Sequence, residues 1–139
     1  MQIDVTADTF KLAQVFTISR GSRTEAKVLT VRVTEGGVTG WGECVPYARY
    51  DETLESVTAE INGLPGDITR QALYDLLPAG AARNAVDCAL WDLEAKRAGK
   101  RVWELAGLTA PGQEIMAYTL SLDEPEAMRT QAAKHSYRP

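Results

Sequence analysis

The chain has 139 residues, 45% of them hydrophobic and 24% charged, and a formal net charge of -4. That length supports one domain with a real core, and the acidic balance argues against nucleic acid or an anionic membrane as the main partner, because both reward clustered Lys and Arg. No apolar run approaches the roughly 20 residues that span a bilayer, and the opening MQIDVTADTFKLAQ lacks the basic-then-apolar order of an export signal, so the expected location is cytoplasmic.

Residues 2–14 alternate loosely through Ile3, Val5, Phe10 and Leu12 and predict a first strand. Residues 16–24, FTISRGSRT, are too polar for core and read as a loop carrying Arg20 and Arg23. Residues 26–34 place Leu29, Val31 and Val33 on one face of a second strand, and residues 38–45 form a third. Glu35-Gly36-Gly37 between them predicts a tight hairpin turn. Gly40 and Gly42 inside the third strand signal a bulge or a close backbone approach. The three segments make an antiparallel meander. A second polar and aromatic loop, Pro46 to Asp51, follows it.

The period then becomes helical. Asp51 is the expected cap of a helix over 52–62 closed by Gly63, and Thr69 that of a helix over 70–77 closed by Pro78. Residues 80–98 give the strongest helix, with Ala82, Ala85, Val86, Ala89, Leu90 and Leu93 at i, i+3, i+4 spacing and Cys88, Trp91 and Ala95 on an adjacent face. Most of its circumference is apolar, which predicts a central buried helix ending at Gly99. Val102 to Ala106 adds a turn. Residues 115–122, IMAYTLSL, read as a strand buried on both faces, and Pro125 opens a helix to about 134. A strand followed at once by a helix is the start of a βα unit, which needs parallel neighbours. The fold class is therefore α+β: a three-stranded antiparallel meander, a helical bundle, and the beginning of a βα repeat.

Chemistry-bearing residues are few. Cys44 and Cys88 form no CxxC pair and read as small buried hydrophobes; with His135 the one histidine, a His/Cys zinc or iron site is excluded. Asp87 and Glu94 share a helix face but lie about 10 Å apart along the axis, too far for one hard cation unaided. Arg83 with Asp87 and Asp92 with Lys96 have the spacing of ion pairs. Lys134 and His135 are adjacent on a helix end and point about 100° apart, so they do not cooperate in acid–base work. Arg20, in a loop beside Gly21, is either a solvated arginine or a planar fork for a carboxylate.

Three strings are specific enough to suggest a family: ISRGSRTEAKV (Ile18 to Val28), GGVTGWGECVPYARYDET (Gly36 to Thr53) and ARNAVDCALWDLEAKRAGKRVWEL (Ala82 to Leu105). Together they resemble the N-terminal capping domain of the enolase superfamily, in its muconate-lactonizing-enzyme-like subgroup. The Ser19-Arg20-Gly21 string and the PYARY loop are most similar to dipeptide epimerases of the L-Ala-D/L-Glu type. AYTLSLDEPEAM (Ala117 to Met128) resembles the first strand and helix of the (β/α)8 barrel that such a domain covers. The resemblance implies a capping domain over 1–111 and a truncated barrel start over 112–139. It implies an isomerase parent that moves an α-proton with two lysines and Mg2+, from a dipeptide with an acidic residue. The lysine-bearing strands and the metal ligands of that family have no counterpart in the 139 residues, so the fragment is expected to be inactive. A homo-oligomer is implied for the full-length form, and association or a domain swap for this chain.

Residue by residue, the resemblance carries over Arg20 as the contact for the acidic substrate side chain and Tyr50 as a wall of the pocket. Thr119 and Ser121 follow as residues of the first barrel strand beside the substrate. Trp41, Trp91, Asp92 and Trp103 are expected to pack and pair within the capping domain. Two other readings stay open: the lid of a muconate cycloisomerase, o-succinylbenzoate synthase or N-acylamino acid racemase, and a stand-alone binding module without catalysis.

Overall fold

Alternating β-branched residues give two long strands and a short one: β1 (Gln2–Ile18), β2 (Gly21–Glu35) and β3 (Val38–Cys44). They form one three-stranded antiparallel sheet in the order β1-β2-β3. In this computed structural model, which describes residues 1–134, β2 and β3 pair antiparallel from Glu35↔Val38 to Leu29↔Cys44. Gly36 and Gly37 join them with φ of 58° and 79°. Two consecutive positive φ values define the hairpin turn whose twist matches its strands, and glycine alone adopts them without strain.

The segment 16–24 is not a loop. β1 runs on to Ile18 and β2 begins at Gly21, so only Ser19 and Arg20 remain as the turn. Thr17 Oγ1 and Ser22 Oγ pair across the hairpin at 2.9 Å. The polarity of this segment reports solvent on its side chains and says nothing against a backbone ladder beneath them.

The chain divides into two units: Met1–Asp8 with Lys27–Pro111, and Thr9–Ala26 with the residues from Gly112 onward. The first holds the core. Leu29, Val31 and Val33 of β2 are fully buried, as expected from their shared face. Against the sheet lies α3 (Ala81–Ala98), which presents Ala82, Ala85, Val86, Ala89, Leu90 and Leu93. α1 (Leu54–Asn62) adds Val57 and Ile61, and α2 (Arg70–Leu76) adds Leu73. α4 (Val102–Leu105) follows Gly99, whose φ of 61° closes α3.

Glycine sets the distance between α3 and β3. A Cβ at Gly40 would lie 2.1 Å from the Ala89 carbonyl oxygen and 2.5 Å from the Leu93 nitrogen; one at Gly42 would lie 2.0 Å from the Ala85 carbonyl oxygen. The regular register through both positions shows that they serve close approach rather than a bulge. The same helix covers the free edge of β3. Lys96 Nζ donates to the Thr39 carbonyl (2.9 Å), the Trp41 amide donates to Asp92 Oδ2 (2.8 Å), and Asn84 Nδ2 donates to the Glu43 carbonyl (3.4 Å). A stripe of polar residues on α3 thus satisfies alternate edge groups that would otherwise invite another strand.

Four expectations change here. α1 is capped by Thr53, in a reciprocal pair with Ser56, while Asp51 ends a preceding 3-10 turn in the left-handed conformation (φ 59°). α3 is buried mainly along one face: on the adjacent face Cys88 is exposed and Trp91 half-buried, and Ala95 alone is buried as expected. Asp87 does not pair with Arg83; Arg83 lies over the Tyr74 ring instead, whereas Asp92 and Lys96 do pair at 2.6 Å. The fourth change is in the second unit, where residues 115–122 form no strand. Ile115, Met116, Tyr118 and Leu122 are 51–82% exposed rather than buried on two faces. A strand exists only by virtue of a repeated ladder, and among the described residues this segment makes one backbone bond to β1, from the Leu122 amide to the Thr17 carbonyl. α5 (Pro125–Lys134) follows as expected, and His135 lies outside the described residues.

Candidate functional site

In the second unit, Arg20 occupies the exposed tip of the β1–β2 hairpin. The neighbouring Gly21 has φ 137°, a conformation closed to side chains with a Cβ, so the tip geometry depends on that glycine. Thr119 is exposed and Ser121 is 6% exposed. The Ser121 hydroxyl accepts from the Thr17 amide at 2.9 Å and donates to the Val15 carbonyl at 3.2 Å. The Leu122 amide donates to the Thr17 carbonyl at 2.8 Å. Ser121 is thus committed to fastening its segment to β1, two residues before the hairpin turn.

In the first unit, Tyr50 lies in the stretch between β3 and α1. The 3-10 turn Ala48–Tyr50 is closed by the Tyr50 amide donating to the Tyr47 carbonyl (2.8 Å), and the two tyrosine rings stand 5.9 Å apart. Tyr50 is 71% exposed, at the edge of a cleft of about 270 Å3 lined by Cys44, Val45, Tyr47, Glu52, Ala81 and Asn84, among others. Burial pushes the Cys44 thiol up to about 11, with the carboxylates of Glu52 and Glu43 adding to the effect. It is therefore an inert side chain at neutral pH.

Glu52 is the residue that sequence reasoning missed. Its Oε1 accepts from the Ala81 amide at 2.7 Å and its Oε2 from the Tyr47 amide at 3.0 Å. The carboxylate thus caps α3 and holds the loop at once. The signal in the sequence is faint: an acid one residue before the Thr53 cap, with its main partner 29 positions away.

Among the described residues, no three His, Cys, Asp or Glu side chains converge as a metal site. The acids of α3 are used elsewhere. Asp92 pairs with Lys96 and the Trp41 amide, and Glu94 receives two bonds from Arg70 Nε, whose guanidinium lies 3.5 Å over the Trp91 ring. Trp103 has Arg101 over its ring, and Trp41 has Arg32, although Trp41 remains half-exposed. These side chains, engaged with one another, do not form a site for a divalent cation.

Comparison with known proteins is consistent from sequence to structure. A model of the N-terminal domain of mandelate racemase / muconate lactonizing enzyme matches residues 1–107. An L-Ala-D/L-Glu epimerase of Escherichia coli is 44% identical over 135 residues, which cover 94% of this chain and 42% of that protein. A crystal structure from Agrobacterium tumefaciens, an enolase family member with homology to dipeptide epimerases and holding sodium and L-Ala-L-Glu, superposes with a TM-score of 0.87 at 48% identity. That match covers 95% of this chain and 42% of the other. A dipeptide epimerase from Enterococcus faecalis, complexed with Mg and L-Leu-L-Tyr, superposes at 0.81 with 29% identity, over 96% of this chain and 41% of the other. The chain spans about two fifths of the length of the relatives it matches.

Proposed function

This chain belongs to the mandelate racemase / muconate lactonizing enzyme N-terminal domain family of the enolase superfamily, and from that membership we propose that it works as the substrate lid of a Mg2+-dependent dipeptide epimerase acting on dipeptides with an acidic residue. The observation that carries the reading is Arg20 at a hairpin tip whose shape depends on Gly21. A carboxylate taken out of water needs a partner, and a guanidinium supplies a two-pronged one. The E. coli relative is an L-Ala-D/L-Glu epimerase, and the Agrobacterium neighbour holds L-Ala-L-Glu. Tyr50 in the first unit is assigned to substrate contact as a cleft wall, and Thr119 in the second unit to substrate contact of its own, with Ser121 holding the segment that bears Thr119. The base and the metal ligands belong to the barrel, and this chain contributes recognition and exclusion of water. In the same reading the exposed Ile115, Met116, Tyr118 and Leu122 face barrel neighbours, and light scattering of the isolated chain should show association.

The test is a chimera in which this chain replaces the corresponding N-terminal part of the E. coli epimerase. It should exchange the α-proton of L-Ala-L-Glu for deuterium in D2O, while the isolated chain should not. Arg20→Met in the chimera should lower kcat/KM for L-Ala-L-Glu by roughly 2–5 kcal/mol, the usual effect of truncating one side of a buried charged pair. L-Ala-L-Phe should be far less affected. A folded, Mg2+-loaded chimera that leaves L-Ala-L-Glu untouched, or an equal loss on both substrates, would overturn the assignment.

A further inference from the structure

A single carboxylate joins two places that the sequence keeps far apart. α3 begins at Ala81, and its N-cap, Gly80, has no side chain to offer the first unpaired amides. Glu52 supplies what Gly80 lacks, accepting from the Ala81 amide at the positive end of an 18-residue helix. Gly80 is extended (φ 169°), so it is not there for a left-handed turn. Its use is room: a Cβ at position 80 would stand 3.1 Å from Glu52 Oε1.

The other carboxylate oxygen holds the Tyr47 amide. From Tyr47 to Asp51 the backbone bonds close the turn on itself, Tyr50 to Tyr47 and Asp51 to Ala48. They shape the loop but do not fasten it. Asp51 also sits at φ 59°, the one non-glycine residue with positive φ among the described residues, a conformation that persists where surrounding contacts enforce it. Immediately after Glu52, Thr53 and Ser56 fix the start of α1. Glu52 therefore stands between a fixed helix start and a loop that carries two tyrosines beside the cleft.

We propose that Glu52 is a positioning residue: by bridging the start of α3 and the Tyr47 amide, it sets the Tyr47–Tyr50 loop as a fixed wall of the substrate cleft. The inference rests on the reading of Tyr50 as a pocket residue. It adds that recognition by this loop is preset before substrate arrives, so that weakening the latch raises KM without slowing the chemistry. Glu52 touches no substrate in this scheme and acts through Tyr47 and Tyr50.

Cys44, 6% exposed and lining the same cleft, reports whether the loop is seated. In the chain carrying Cys88→Ser, so that Cys44 is the one thiol, Glu52→Ala should speed alkylation of Cys44 at alkaline pH by about 10- to 100-fold after each rate is divided by that variant's own thiolate fraction, because losing the Glu52 charge also eases ionisation of the thiol. Hydrogen exchange at the Tyr47 and Ala81 amides should quicken with it, while far-UV circular dichroism keeps the helices. Glu52→Gln, which keeps one acceptor oxygen, should fall between wild type and Glu52→Ala. In the chimera, Glu52→Ala should raise KM for L-Ala-L-Glu about tenfold and leave kcat within about twofold. Unchanged Cys44 alkylation and unchanged exchange at both amides in folded variants would overturn the latch, and an unchanged KM would overturn its role in recognition. If the parent chimera shows no epimerase activity, the functional reading fails, while the alkylation and exchange results still decide the latch.

Discussion

The two units of this chain are built by different means. In the first, helices and sheet share a continuous apolar core running from Leu29, Val31 and Val33 through Val57, Ile61 and Leu73 to the alanine-rich face of α3. In the second, no hydrophobic side chain among the described residues is buried; the one residue below a tenth exposure is Ser121. Yet the second unit contains the outer part of the β1–β2 hairpin, including its turn. The difference teaches that backbone pairing and burial are separable. A hairpin can extend well past the residues its core supports, and what then holds it is a set of individual hydrogen bonds rather than a packed interior. Local stability should follow the same division, high where apolar contacts are dense and low where backbone bonds face solvent.

The comparison breaks most visibly at Gly40. Its missing Cβ allows α3 to rest on β3, and the atoms an added Cβ would meet are the Ala89 carbonyl oxygen and the Leu93 nitrogen and Cβ, none of which a side-chain rotation moves away. Gly40→Ala should destabilise the chain by about 3 kcal/mol, at the upper end of overpacking costs, and lower the melting temperature by roughly 10 °C. Gly112, in the second unit, has nothing within 4 Å of its added Cβ. Gly112→Ala should stay within about 0.5 kcal/mol. Calorimetry on both variants decides the matter, and equal melting temperatures would mean that the glycine seam does not control packing.

Much of the first unit is legible in sequence because its signals are local. Gly36-Gly37 announces a turn that needs two positive φ values, Thr69 caps α2, and the i, i+3, i+4 alanines of α3 mark the buried face. Even the close approach at Gly40 and Gly42 is visible, since glycine in a strand has few other uses. What is not legible depends on partners distant in sequence. Cys88 looks like core by composition, yet it falls on the face of α3 that meets solvent. Glu52 looks like the first turn of a helix, yet it serves a different helix 29 residues away. Residues 115–122 have the composition of a buried strand, and composition cannot provide the neighbours that a strand requires. The candidate site divides likewise: the turn that presents Arg20 is written in Ser19-Arg20-Gly21, but its place at the tip of a long hairpin rather than in a loop is not.

Alkaline titration sharpens the comparison from within the core. Cys44 has its thiol pushed up from 9.0 to about 11, first by burial and then by Glu52 and Glu43. The folded state therefore holds this proton more tightly than the unfolded chain. Its contribution to stability is complete below pH 9, declines as pH rises from 9 to 11, and is gone above that. A thiol proton held about a hundredfold more tightly contributes at most about 2 to 3 kcal/mol, and less where the neighbouring cleft admits water. Tyrosines and lysines titrate in the same range, so the informative quantity is the difference in pH dependence between the wild type and Cys44→Ala. The variant should lose less stability between pH 9 and 11. Parallel curves from urea denaturation would show that the cleft floor is wetter than its 6% exposure implies.

The smallest effect is expected in the second unit, at Ser121. Its hydroxyl accepts from the Thr17 amide and donates to the Val15 carbonyl, and beside it the Leu122 amide donates to the Thr17 carbonyl. Ser121→Ala removes the first two bonds and keeps the third. No apolar contact is lost that the core depends on, because Ser121 is not part of the core cluster. A neutral hydrogen bond contributes about 1 kcal/mol net, so protection of the Thr17 amide against hydrogen exchange should fall about fivefold. Global stability should change by less than about 0.5 kcal/mol, because opening this segment is a local event below the cost of unfolding the core. Exchange at Leu29 and Ala89, deep in the first unit, should not move. If instead Leu29 and Ala89 lose protection in step with Thr17, the two units unfold together and the contrast between them is one of composition alone. If Thr17 keeps its protection, the hairpin is held by its own ladder and Ser121 is not its fastener.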